Sequence, residues 1–90
     1  MNDKTRHWTV VIPTKEERYL SRLPRRERQR LIDALETLQA KDTLFGHVKK
    51  LHGRPELSLR VGPFRVLMRP DEESRILVVV GIGSRGDVYK

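Results

Sequence analysis

Two arginines in the C-terminal third of the chain are set up for phosphate chemistry. Arg65 lies in an alternating run from Phe64 to Arg69, and Arg85 follows Gly81-Ile82-Gly83 and precedes Gly86. Both are rooted in or beside a strand. A guanidinium presents fixed, bidentate donors to phosphate oxygens. Two that converge on one phosphate can stabilise the charge of a phosphoryl-transfer transition state. The competing reading is two solvated strand-end arginines. Tyr89 offers a ring to stack on a base and a hydroxyl to hydrogen-bond, or else packs against the sheet as a tail residue. Lys49 and Lys50 suit backbone-phosphate contacts, against a plain solvated charge run. His47, His52, Arg54 and Arg60 add positive or titratable groups nearby. Glu56 is the carboxylate beside this cluster. It reads first as a partner for Arg54 or Arg60 and second as a general base. His47 and His52 can exchange protons near neutrality. They are five apart and lack companions at ligand spacing, so no metal site is expected.

The elements that must position these groups can be read from periodicity. Leu57, Leu59 and Val61 alternate with Glu56, Ser58 and Arg60, the pattern of a strand with one apolar face. Gly62-Pro63 breaks it. Phe64, Val66 and Met68 then alternate with Arg65, Leu67 and Arg69 in a second strand, and Pro70-Asp71-Glu72-Glu73 makes the next turn. Arg75 to Val80 is an almost continuous apolar, β-branched run, expected in a central strand covered on both faces. Gly81-Ile82-Gly83 is expected to loosen the chain after it.

A further strand is expected from His7 to Ile12, ended by Pro13. Thr14 and Glu17 have the spacing of a capping box. Tyr19, Leu20 and Leu23 give a short helix its apolar side, and Pro24 suits the start of a second helix. Leu31, Ile32, Leu35 and Leu38 form that helix's buried stripe, with Arg25, Arg26, Arg28 and Arg30 on or beside its exposed faces. Lys41 to Arg54 reads as a connection anchored by Leu44, Phe45, Val48 and Leu51, with turns at Gly46 and Gly53. Trp8 is a core candidate. The expected architecture is α+β. An N-terminal strand and a two-helix hairpin precede a three-stranded antiparallel meander, and the helices pack on one face of a curved four-stranded sheet. Residues 1–90 are expected to form a single domain.

Ninety residues allow one small core. The formal charge of +7, from 19 basic and 12 acidic residues, points to an anionic partner, either nucleic acid or an acidic protein. With no cysteine, disulfides and thiolate metal sites are excluded. No apolar run is long enough to span a bilayer, and the polar start Met1-Asn2-Asp3-Lys4 does not resemble a signal peptide. The expected location is cytoplasmic, with no membrane partner and no cofactor.

The pattern LHGRPELSLRVGPFRVLMRPDEESRILVVVGIGSRGDVYK resembles the C-terminal half of the RelE/ParE toxin superfamily. Its more specific parts are LRVGPFRVLM, Leu59 to Met68, and GSRGDVYK, Gly83 to Lys90. The resemblance implies a RelE-like fold and a cognate acidic antitoxin. For the RelE branch it implies cleavage of mRNA in the ribosomal A site without a metal. There the 2′-hydroxyl attacks the adjacent phosphate. By the same resemblance Arg65 contacts that phosphate, Arg85 stabilises the transition state and Tyr89 stacks on or orients the nucleotide. Glu56 and Ser58 stand about where founding RelE proteins carry two lysines. That leaves the proton-abstracting role unassigned, with Lys49, Lys50, His52 and Glu56 as its candidates. Lys49, Lys50, His52, Arg54 and Arg60 form the expected RNA-binding set. The ParE branch, which shares the fold and poisons DNA gyrase, is the alternative. A non-catalytic RNA- or protein-binding module is a third.

Overall fold

The computed structural model describes residues 8–40, 48–51 and 53–84. The element order is β1 (Thr9–Val11), α1 (Thr14–Ser21), α2 (Arg25–Ala40), β2 (Lys49–Lys50), β3 (Leu57–Val61), β4 (Phe64–Asp71) and β5 (Ile76–Ser84). One sheet carries the strands in the order β1-β5-β4-β3-β2. Strand β1 runs parallel to β5, and every other pairing is antiparallel.

The meander expected from the alternation is present as β3–β4–β5, with the helices against one face. Strand β2 adds a fifth strand within what the sequence presents as a connection. Two residues are too few to show a period. Its register, Lys49 to Ser58 and Lys50 to Leu57, extends the sheet beyond β3.

The core lies between α1, α2 and the inward face of the sheet. Leu31, Leu35 and Leu38 of the helical stripe are buried, as are Leu57, Leu59, Val61, Phe64, Val66 and Met68. Each such aliphatic side chain contributes about 1.5–3 kcal/mol of burial free energy. Trp8 joins this core, with the Arg75 guanidinium 5.1 Å from its ring centroid. Ile32 is only half-buried and lines a cleft with Val10, Ile12 and Leu35. On the free edge of the sheet, Val10 N–H donates to Gln39 Oε1 at 2.8 Å, tying β1 to α2.

Three local expectations are corrected. The N-cap of α1 is Pro13, not Thr14, and no side chain caps it. Pro13 has the extended backbone of a cap residue (φ −64°, ψ 164°), and Thr14 falls in the first turn. Strand β5 is interior to the sheet but not covered on both faces. Leu77 and Val79 are fully buried, while Val80 is 38% exposed. Nor does the chain leave the sheet at Gly81. Strand β5 continues to Ser84, with a register shift opposite Leu67 and Met68 that leaves Val80 as the extra residue.

Candidate nucleic-acid interface

The face of the sheet away from the helices is built by strand parity. Val61 pairs with Phe64 across the two-residue loop Gly62-Pro63, and Gly62 has φ 58°. A first loop residue with positive φ followed by proline gives a type II′ turn, whose twist matches the hairpin. That loop fixes the register of everything beyond it. Arg60 falls opposite Arg65, Ser58 opposite Leu67 and Leu57 opposite Met68. Since Leu57 and Met68 point into the core, Ser58, Arg60, Arg65, Leu67 and Arg69 share the opposite face.

Two rows cross this face. Arg60, Arg65 and Gly83 form one, and Lys49, Ser58, Leu67 and Gly81 form the next. The two glycines leave β5 without side chains beside Arg65 and Leu67. Ser58 and Leu67 are buried. Arg65 is half-buried, with its Nε closed off from solvent. Like charges rooted straight across from each other make an unfavourable cross-strand pair. A bound anion removes that penalty.

At the other end of the face stands Glu56, only 6% exposed. Its Oε1 accepts from Arg54 Nε at 3.2 Å and its Oε2 accepts from an Arg69 Nη at 2.8 Å. The hydrogen bond from Arg69 holds the carboxyl below its ordinary value of 4.5, and the charges of Arg54 and Arg69 act in the same direction. Burial opposes them. Of the two partners expected for Glu56, Arg54 is found and Arg60 is not. Arg60 is four residues further along the extended chain, about 13 Å away, whereas Arg69 lies across the hairpin.

Arg69 is the residue that sequence reasoning missed. The signal was available, because a two-residue loop between Val61 and Phe64 carries the register outward until Glu56 meets Arg69. Lys49 lies on the same face, opposite Ser58. Lys50 is opposite Leu57, and its side chain is outside the described residues. Arg85, Tyr89, His47 and His52 also lie outside them, as do His7, Leu44 and Phe45. Among the described residues no group of three or more His, Asp or Glu side chains is placed to hold a metal ion. No described helix is long and apolar enough to cross a membrane.

The family model for the ParE toxin of type II toxin-antitoxin system, parDE, matches residues 14–89. The chain belongs to this toxin family. It is thus a member of the RelE/ParE superfamily, and the solved structures similar to it carry the RelE name. One is the toxin–antitoxin complex RelBE2 from Mycobacterium tuberculosis. It has 26% identity and a TM-score of 0.76 over 88% of this chain and 99% of that one. Another is the archaeal RelE–RelB complex from Pyrococcus horikoshii, at 20% identity and TM-score 0.74 over 90% and 98%. The intact E. coli RelBE complex follows, at 17% and 0.67 over 87% and 96%. The last two likenesses are of fold alone. No curated protein matches the sequence. As a RelE/ParE toxin, the chain presents its arginine-rich face on the meander, opposite the helical hairpin.

Proposed function

We propose that this toxin is a metal-independent endoribonuclease that cuts mRNA in the ribosomal A site and is held inactive by an acidic antitoxin. The observation that carries the reading is the Arg60–Arg65 pair, rooted on one face by a tight hairpin. In the proposed step the RNA's own 2′-oxygen forms a bond to the adjacent phosphorus. The bond from phosphorus to the 5′-oxygen breaks, leaving a cyclic phosphate and a 5′-hydroxyl. One proton leaves the 2′-hydroxyl and one reaches the departing 5′-oxygen, so no co-reactant is consumed. Arg65 and Arg60 meet the charge that grows on the non-bridging oxygens, and Arg85 is assigned to the same phosphate. Tyr89 is assigned to the base, and Lys49, Lys50 and His52 to the backbone or the proton. The ribosome contributes alignment of the 2′-hydroxyl with the phosphorus.

Arg65→Ala should lower the single-turnover cleavage rate by about 10²–10³, the loss typical of one donor aimed at developing charge. Arg65→Lys keeps the charge without the fork and should recover only part of it. A rate unchanged in Arg65→Ala would overturn the assignment. Glu56 and Ser58, where RelE proteins carry lysines, favour a second reading as a gyrase inhibitor of the ParE kind. A DNA supercoiling assay separates the two.

The partner reading rests on charge and on relatives. A net +7 and an exposed arginine face suit an acidic polypeptide, and the similar solved structures include complexes of RelE with RelB. Co-purification with the product of a neighbouring acidic reading frame is the expected result. Failure to bind it would refute the pairing.

A further inference from the structure

We propose that Arg69 and Arg54, pinned by Glu56, form a second phosphate subsite for single-stranded RNA, displaced along β4 from the Arg60–Arg65 pair. The inference rests on the reading of this face as an RNA-cleaving site and gives Glu56 a task within it. Each carboxylate oxygen of Glu56 already accepts from a guanidinium, and the side chain is buried. A carboxylate so engaged is a poor proton acceptor. What it does instead is position: it removes rotamer freedom from two long cations before any ligand arrives.

Arg69 commits one of its five N–H donors to Glu56, and its side chain is 59% exposed. Arg65 and Arg69 share one strand and one face, four residues or about 13 Å apart. An extended RNA strand covers that distance in about two internucleotide steps. Gly81, opposite Leu67, has no side chain, so β5 raises none between the two grips, and Leu67 itself is buried. Two phosphates two linkages apart are the ligand this spacing fits.

The test is binding of a 2′-O-methyl oligonucleotide, which lacks the attacking hydroxyl and cannot be cut. Fluorescence anisotropy across a series of NaCl concentrations compares wild type, Arg69→Ala and Glu56→Gln, with thermal melts confirming the fold. Arg69→Ala should weaken binding about tenfold and reduce the salt slope by about 0.7, the value for one phosphate contact on a single strand. Glu56→Gln separates positioning from bulk charge by the sign of its effect. Removing a negative charge from a basic face tightens binding if charge alone matters, whereas the subsite requires weaker binding. An unchanged slope in Arg69→Ala overturns the proposal. So does tighter binding by a folded Glu56→Gln, or no wild-type binding at low salt. If Glu56→Gln does not fold, Arg69→Ala decides alone. Loss of the ribonuclease reading shows separately, as binding of this pattern without cleavage of ordinary mRNA on the ribosome.

Discussion

Replacing Gly62 by alanine tests the turn on which the whole register depends. Gly62 has φ 58°, where an added Cβ crowds the following carbonyl at about 1–2 kcal/mol. The same Cβ would sit 2.9 Å from Cζ and Nη1 of Arg30, whose guanidinium lies over the turn. That contact is with the far end of a flexible side chain, so Arg30 swings aside and the backbone term dominates. The expected destabilisation is therefore about 1–2 kcal/mol, or a fall in melting temperature of roughly 4–16 °C for a domain of this size. Urea unfolding followed by circular dichroism measures it. Gly62→Asn should cost about as much, because the first position of a type II′ turn lies outside the left-handed α region that asparagine tolerates. In an Arg30→Ala background the penalty of Gly62→Ala should persist within about 0.5 kcal/mol. A neutral Gly62→Ala would refute the reasoning, as would an asparagine variant as stable as wild type. A penalty that vanished without Arg30 would show that the contact, and not the backbone, sets it.

Other consequences follow from the same geometry. Glu56, held below its ordinary value of 4.5 by Arg69, contributes stability that is fully present above that value and is lost as pH falls through the folded pKa. The gap in melting temperature between wild type and Glu56→Gln should therefore shrink in acid, and a gap constant from neutral pH down to 3 would contradict it. Arg60→Thr removes a like-charge cross-strand pair and should weaken RNA binding without lowering stability in urea unfolding. Lower stability would show that the two arginines do not repel. Gln39→Ala deprives the Val10 N–H of its acceptor and should lower stability by about 0.5–1.5 kcal/mol, with faster amide exchange at Val10. Unchanged exchange would show that Gln39 does not cap that edge.

Much of this was legible in the sequence because the signals are local. Alternation from Glu56 to Arg69 placed Arg60 and Arg65 on the polar face of a hairpin. The leucines of α2 marked the face that covers the sheet. What escaped depends on relations between distant residues or on very short elements. The Glu56–Arg69 contact needs the hairpin register rather than the strand sequence. Strand β2 exists because β3 offers it an edge, and its two lysines carry no strand signal of their own. Gly81 and Gly83 look like a loosening of the chain, yet pairing with Leu67 and Arg65 holds them in β5. The spacing of Thr14 and Glu17 reads as a capping box, yet the helix starts one residue earlier, with Pro13 at the cap. The roles assigned to Arg85 and Tyr89 rest on the resemblance of GSRGDVYK, of which residues 85–90 lie outside the described residues.

The most direct test of the central claim is primer extension on mRNA bound to ribosomes, run beside a gyrase supercoiling assay with the same preparations. Wild type should cut within the A-site codon and leave gyrase untouched, while Arg65→Ala and Arg85→Ala should each abolish the cut. Gyrase inhibition without any mRNA cleavage would contradict the account and assign the arginine face to a ParE-like interaction.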